Sequence, residues 1–123
     1  MSDKKILVID DDPLILDIYA RKFKDEHFAV RCITDAEATA DSVAAYAPSL
    51  ILLDIAMPHK DGLTILKELK ESPATKAITV ILLTNNAGKD DMERGLSLGA
   101  DDYILKVIHT PGEVVEKVKK ILR

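Results

Sequence analysis

The stretch Leu50-Ile51-Leu52-Leu53-Asp54 consists of four apolar residues followed by a carboxylate, and the turn signal Asp61-Gly62 comes shortly after it. A short apolar run bounded by turn signals predicts a β-strand that is buried on both faces. The last residue of such a strand lies at the carboxyl edge of the sheet, where open α/β folds bind their ligands. A lone aspartate there is more often a turn or cap residue than a functional group. The other segments therefore decide how Asp54 is interpreted.

Apolar segments with strand character alternate five times along the chain with segments of helical periodicity. The strands are predicted at 6–9, 28–33, 50–54, 78–83 and 103–105. The helices are predicted at 14–26, from 34 to about 46, from 63 to about 72, at 90–98 and from 111 to the end. This alternation predicts a parallel sheet with right-handed crossovers and helices on both faces. The second and fifth strands are short or interrupted by polar residues and suit the edges, which predicts a flavodoxin-like (βα)5 fold with strand order 2-1-3-4-5.

Local signals place several of the helix ends. Asp12 followed by Pro13 predicts a capped first helix. The segment Thr34-Asp35-Ala36-Glu37 resembles a capping box and is expected to open the second helix directly. Gly95 lies inside the fourth predicted helix and should weaken it.

Length and composition restrict the class of protein. The 123 residues suit one domain, which is expected to span residues 1–123 with no effector domain after Arg123. The net charge of -4 argues against nonspecific attraction to nucleic acid or to anionic membranes. The single cysteine excludes an intrachain disulfide, and no signal peptide or membrane-spanning run is visible, so a cytoplasmic protein is expected.

Polar residues follow four of the predicted strands at the same edge of the sheet. Asp10 and Asp11 follow the first strand, Asp54 ends the third, Thr84 follows the fourth and Lys106 follows the fifth. Strands one and three are neighbours about 5 Å apart in the predicted order, so the carboxylates should crowd together. Crowded carboxylates require positive charge from a divalent cation, from Lys106, or from both. A surface cap for the aspartates and a solvated lysine remain the simpler explanations of each residue alone.

Oxygen ligands from a few carboxylates suit Mg²⁺, which often shares its coordination shell with phosphate. The residue types therefore match phosphoryl transfer, with one carboxylate as the nucleophile and the others holding the metal. A lysine would serve as a point charge on the phosphoryl oxygens, and a hydroxyl would hydrogen-bond to them.

Over its whole length the chain resembles a response-regulator receiver domain of two-component signalling, of the single-domain chemotaxis-regulator type. The matching segments are Leu7-Val8-Ile9-Asp10-Asp11-Asp12-Pro13, Leu53-Asp54, Met57-Pro58, Asp61-Gly62, Leu83-Thr84, and Gly99-Ala100-Asp101-Asp102-Tyr103 leading to Lys106. Each segment is modest evidence alone, but their order and spacing are specific.

The resemblance implies a phosphoprotein that forms an aspartyl phosphate on Asp54, with a histidine kinase or a histidine phosphotransfer protein as the donor in a phosphorelay. It implies that Mg²⁺ is bound by Asp11, by Asp10 mainly through water, by Asp54, and by the backbone carbonyl of Ala56. Lys106 would pair with the phosphoryl group.

The resemblance also implies a conformational switch. Thr84 would move toward the phosphoryl group, and Tyr103 would turn inward into the space behind it. The surface formed by the fourth helix, the fifth strand and the fifth helix would then change. The downstream target is not implied, and either a monomer or a phosphorylation-dependent dimer is compatible.

The chain departs from the family pattern at a few positions. Val107 follows Lys106 where proline after a cis bond is usual, and a cis bond before valine costs about 3 kcal/mol, so a trans bond or an altered loop is expected. Asn85 replaces a small residue next to the phosphate entrance, while Ala56 and Asn86 occupy positions that tune acyl-phosphate lifetime in relatives. His59 and His109 show no metal-ligand spacing and are expected to be exposed loop residues.

Two alternatives to the switch remain open. Val107 and Asn85 are the only support for a degenerate receiver that acts as a phosphorylation-independent interaction module. An aspartyl-phosphate phosphatase is disfavoured, because such enzymes carry a second aspartate two residues after the nucleophile and this chain has Ala56 there. The chain is accordingly not expected to be a metabolic enzyme, although it would assist its own phosphorylation and dephosphorylation.

Overall fold

The computed structural model describes residues 4–84, 89–106 and 109–122. Its regular elements are β1 (Lys5–Ile9), α1 (Pro13–Asp25), β2 (Ala29–Ile33), a 3₁₀ turn (Asp35–Glu37), α2 (Ala40–Tyr46), β3 (Leu50–Asp54), α3 (Gly62–Glu71), β4 (Thr79–Thr84), α4 (Lys89–Ser97), β5 (Asp102–Leu105) and α5 (Pro111–Ile121). Within these ranges, every helix is too short or too polar to cross a bilayer.

The five strands form one parallel sheet in the order β2-β1-β3-β4-β5. This confirms the predicted flavodoxin-like topology, including the two edge strands. Ile9 pairs with Leu53, and Thr84 pairs with Leu105, so the carboxyl ends of the strands lie along one edge. The strand order reverses between β1 and β3, and this topological switch point makes the edge the expected ligand site of an open α/β sheet.

A separate apolar core covers each face of the sheet. On one face Ile51 and Leu53 pack with Val43 of α2 and Leu66 of α3. On the other face Leu52 packs with the helices α1 and α5. All five residues of β3 are buried, as expected of a central strand whose side chains alternate between the two cores.

The beginning of the second helix differs from the prediction. The Thr34–Glu37 capping box is present, but it opens only the 3₁₀ turn. Ala38 then becomes extended and buries its methyl group in the core, so the chain leaves helical geometry. A second capping box, between Thr39 and Ser42, starts α2 at Ala40.

The predicted Asp12 cap of α1 is confirmed and α4 is present where the fourth helix was predicted, while the weakening of that helix by Gly95 stays a prediction. The carboxylate of Asp12 accepts a hydrogen bond of 2.9 Å from the Leu14 N–H, and Pro13 occupies the first turn of α1. Helix α4 forms despite Gly95, and the packing explains the glycine. A Cβ atom at position 95 would overlap the side chain of Leu82 in β4, so the glycine allows helix and sheet to approach closely.

Candidate functional site

Three carboxylates converge at the carboxyl ends of β1 and β3. Asp10 and Asp11 directly follow β1, and Asp54 is the last residue of β3. One oxygen from each carboxylate lies within 4.8 Å of the other two. Asp10 and Asp54 are buried, while Asp11 is exposed, so the cluster opens to solvent on one side.

The ammonium of Lys106 lies between two of these carboxylates. Its Nζ donates to Asp10 Oδ2 at 2.7 Å and lies 3.8 Å from Asp54 Oδ2. The lysine follows β5, and its backbone N–H donates to the Thr84 carbonyl at 2.8 Å, which fixes the start of its side chain. One cation therefore partly neutralises three carboxylates, which leaves a net negative site.

The electrostatic environment raises the pKa of Asp54 to about 6. Burial is the largest cause, because it disfavours the charged form, and the neighbouring charges of Asp10 and Asp11 act in the same direction. The Lys106 ammonium and a hydrogen bond from the Ala56 N–H oppose the rise. Asp54 is therefore mostly ionised at pH 7 and mostly protonated at pH 5.

The cluster forms the floor of an open cavity of about 440 Å³. Its lining residues are Asp10, Asp11, Asp12, Ile15, Tyr19, Asp54, Ala56, Lys106, His109 and Pro111. Burial, with a smaller contribution from the charge of Asp10, raises the pKa of Tyr19 to about 12. The phenol is therefore neutral throughout the physiological range.

The donor set fits a hard divalent cation. It consists of carboxylate oxygens within reach of one ion, and Ala56 places a backbone segment at the wall of the same cavity. Few carboxylates with open sides suit Mg²⁺, which retains several waters. A cation would also remove the mutual repulsion that contributes to the raised pKa of Asp54.

The two predicted switch residues lie apart from the cavity lining. Thr84 is buried at the end of β4. Tyr103 pairs with Leu82 in the sheet and packs against the core that contains α2 and α3. The Thr84 carbonyl nevertheless accepts the backbone N–H of Lys106 at 2.8 Å, so Thr84 is adjacent to the site lysine.

The two histidines differ in their surroundings. His59 is exposed in the loop after β3, as expected. His109 is half-buried and lines the cavity, contrary to the expectation of an exposed loop residue. Pro111, the first residue of α5, lines the same cavity. Asn85, Asn86 and Val107 lie outside the described residues, so the expectations for them stay predictions.

Asp35 is a residue near the site that sequence reasoning assigned only to a helix start. Its carboxylate is buried and accepts hydrogen bonds from the backbone N–H groups of His59 and Lys60 at 2.6 and 2.8 Å. These partners are 24 and 25 residues away in sequence. No local pattern signals such a contact, although an aspartate just after the strand that pairs with β1 was a usable indication.

Comparison with known proteins supplies the family. The sequence pattern of the response regulator receiver domain matches residues 6–119, which include every residue of the acidic cluster. The chain belongs to this family. A receiver domain is a signalling domain of two-component systems and not a metabolic enzyme.

Relatives of this receiver domain include a longer regulator. The chain is 36% identical over 124 residues to the transcriptional regulatory protein AruR of Pseudomonas aeruginosa, and the match covers 97% of the chain and 49% of AruR. The chain thus spans about half the length of this curated relative.

Solved receiver structures share the whole fold. A CheY-like response regulator receiver domain protein from Methanospirillum hungatei is 30% identical with a TM-score of 0.82, and the match covers 98% of this chain and 94% of that one. The Mn²⁺-bound form of the response regulator Rcp1 is 26% identical with a TM-score of 0.78, and the match covers 97% and 94%.

Proposed function

We propose that this receiver domain is a phosphorylation-operated switch whose acceptor is Asp54, with a histidine kinase or a histidine phosphotransfer protein as the donor. The proposal rests on one observation above all. Asp54 ends a central strand with its carboxylate beside two other carboxylates and 3.8 Å from the Lys106 ammonium. Membership of the receiver family supports the reaction class.

Asp54 would act as the nucleophile. One carboxylate oxygen attacks phosphorus, the bond from phosphorus to the donor's imidazole nitrogen breaks, and the imidazole leaves with that electron pair. The product is an acyl phosphate on Asp54. The ionised carboxylate is the reactive form, so a pKa of about 6 keeps most of the acceptor competent at pH 7.

The remaining cluster residues would hold Mg²⁺. Asp11 would be a direct ligand, Asp10 would act mainly through water, and Asp54 and the Ala56 carbonyl would complete the protein's share of the ligands. When bound, Mg²⁺ neutralises charge on the phosphoryl oxygens during transfer. The Mn²⁺-bound form of Rcp1 supports a divalent cation in a related domain.

Lys106 would move its main interaction from carboxylate to phosphate. Its ammonium now contacts Asp10 at 2.7 Å and neutralises part of the cluster. After transfer the phosphoryl oxygens next to Asp54 offer a new anionic partner within the same cavity. A flexible point charge suits this exchange better than the planar fork of arginine.

The output would be a population shift between two arrangements of the domain. Thr84 moves toward the phosphoryl group, Tyr103 turns inward, and the surface of α4, β5 and α5 changes for a downstream protein. Phosphorylation favours whichever arrangement offers the phosphoryl group the better contacts.

The decisive experiment is intact mass spectrometry after incubation with acetyl phosphate, with and without Mg²⁺. We expect a gain of one phosphoryl group that requires Mg²⁺ and is absent in Asp54→Asn. The control variant is Asp61→Asn, which changes an exposed carboxylate that caps α3 through the Leu63 N–H. Phosphorylation of Asp54→Asn to the wild-type extent would refute the assignment of the acceptor.

The phosphorylation-independent module remains the alternative to be tested. Its support came from Asn85 and Val107, which lie outside the described residues. The geometry of the described cluster favours the switch instead. A folded protein that binds Mg²⁺ but never gains mass would favour the module.

A further inference from the structure

Asp35 is a buried carboxylate that the proposed phosphoryl transfer does not use. It follows β2 and is 1% exposed. Its Oδ2 accepts hydrogen bonds from the backbone N–H groups of His59 at 2.6 Å and Lys60 at 2.8 Å. Its Oδ1 accepts a hydrogen bond from the backbone N–H of Ala36 at 2.9 Å. An aspartate is costly to bury, so three donors on one carboxylate indicate a specific task.

The two long-range donors belong to the segment 55–61 between β3 and α3, called here the acceptor loop. Ala56 in this loop lines the acidic cavity and donates a hydrogen bond to Asp54. The ends of the loop are already joined, because the Gly62 N–H donates to the Ile55 carbonyl at 2.8 Å. The contacts from Asp35 then hold positions 59 and 60 in the second half of the loop, and a loop held at its ends and again in its second half has reduced freedom at Ala56.

The charge on Asp35 strengthens this hold. Burial alone would raise the pKa of Asp35, but the hydrogen bonds from Lys60, His59 and Ala36 outweigh it and lower the pKa below its usual value. The carboxylate is therefore ionised at neutral pH and makes charge-assisted hydrogen bonds, which are about twice as strong as neutral ones. The side-chain ammonium of Lys60 donates to Glu68 at 2.6 Å. The hydrogen bond from Lys60 to Asp35 comes from the backbone N–H.

We propose that Asp35 is a positioning residue for the phosphoryl-acceptor site, because it holds the acceptor loop so that the Ala56 N–H reaches Asp54 and the Ala56 carbonyl would be available to a bound Mg²⁺. This inference rests on the proposed function. Asp35 acts on the site only through the backbone of the loop. Outer residues that orient metal ligands typically change metal affinity by about 10- to 100-fold when they are replaced.

The test compares Asp35→Ala and Asp35→Asn with the wild type. Mg²⁺ binding is measured by isothermal titration calorimetry, and the phosphorylation rate at saturating Mg²⁺ by intact mass with acetyl phosphate. We expect Mg²⁺ affinity to fall about 10-fold in Asp35→Ala, the lower end of the range for residues that orient metal ligands without binding the metal. The Mg²⁺ affinity of Asp35→Asn should lie between those of the wild type and Asp35→Ala, because the amide oxygen still accepts hydrogen bonds but lacks charge.

Glu37→Gln is the matched control. In the wild type the carboxylate of Glu37 accepts hydrogen bonds from the backbone N–H and hydroxyl of Thr34, at 3.0 and 3.1 Å, at the start of the same 3₁₀ turn. The Glu37→Gln substitution removes a charge from this turn without altering a hydrogen bond to the acceptor loop. We expect it to keep wild-type Mg²⁺ affinity, and urea unfolding of all variants separates loss of stability from loss of binding.

The outcomes separate this inference from the proposed function. Wild-type Mg²⁺ affinity and rate in folded Asp35→Ala would overturn the positioning role alone, as would an equal loss in Glu37→Gln. If Asp35→Ala does not fold, Asp35→Asn decides by the same criterion. A wild type that neither binds Mg²⁺ nor gains a phosphoryl group would overturn the proposed function and this inference together.

Discussion

Replacing Asp54 with asparagine should stabilise the metal-free protein at neutral pH. The folded state raises the pKa of Asp54 from 3.8 to about 6, mainly through burial. A raised carboxyl pKa means that the folded state binds the proton more tightly than the unfolded state, so ionisation costs folded-state stability. Asparagine keeps the shape and accepts the hydrogen bond from Ala56, while Lys106 keeps its 2.7 Å bond to Asp10.

The magnitude follows from the difference between the two pKa values. A gap of about two corresponds to about 3 kcal/mol at 1.36 kcal/mol per pKa unit. The cavity above Asp54 is open to water, which screens the charge, so we reduce the expected gain to about 1–2 kcal/mol. The gain should be fully present above pH 6 and should disappear as the pH falls from 6 to 4, because wild-type Asp54 becomes protonated in that range.

The assay is urea unfolding monitored by circular dichroism between pH 4 and pH 7.5, with a chelator to remove divalent cations. Asp61→Asn serves as the control, because asparagine caps a helix about as well as aspartate. Mg²⁺ added at pH 7 should stabilise the wild type more than Asp54→Asn, since the cation removes the repulsion in the cluster.

A folded Asp54→Asn that is no more stable than the wild type at pH 7 would refute the burial cost assigned to the ionised carboxylate. A stability difference that does not depend on pH would also refute it. Either result would mean that the Lys106 ammonium already offsets the cost of keeping the Asp54 carboxylate ionised in the folded state.

Three further changes test the site and its support by urea unfolding at pH 7. Lys106→Met leaves buried Asp10 without its ammonium partner and should lower the free energy of unfolding by about 2–3 kcal/mol. This is at or just below the range for broken buried ion pairs, because the cavity is open to water. Unchanged stability would contradict the pairing. Gly62→Ala places a Cβ atom against the Asp54 carbonyl oxygen and 2.7 Å from the Ile55 Cα. The backbone must then shift, which should lower the free energy of unfolding by about 3 kcal/mol. Wild-type stability would disprove the close approach. Ala47→Gly relieves a left-handed conformation (φ 55°) at the end of α2 and should stabilise by about 0.5–1 kcal/mol, whereas destabilisation would show that the αL strain is absent.

Sequence patterns predicted the sheet because its central strands carry strong and redundant signals. The run from Leu50 to Leu53 is apolar on both faces, and only a strand covered by two helical layers buries such a run. Strand order followed from the weaker edge segments. The meeting of Asp10, Asp11 and Asp54 then followed from topology alone, since parallel strands end at one edge.

The second helix and Asp35 were not predictable in the same way. Two consecutive capping boxes, headed by Thr34 and Thr39, compete in the sequence, and local propensity does not choose between them. The choice depends on the burial of Ala38 and on the contacts of Asp35 with a loop more than 20 residues later. Both are tertiary effects that override a local signal.

The burial of every residue of β3 restricts which part of the molecule could carry a response to the proposed phosphorylation. This strand pairs with β1 on one side and β4 on the other, so its amide groups reach water only when the whole sheet opens. Hydrogen–deuterium exchange at β3 should therefore proceed at the rate set by global unfolding, whereas edge strand β2, which is partly exposed, should exchange faster. The proposed acceptor thus stands on the slowest-opening part of the protein. A signal from the proposed acceptor would not begin with local unfolding beneath it and would travel through the loops and helices that surround the strand ends.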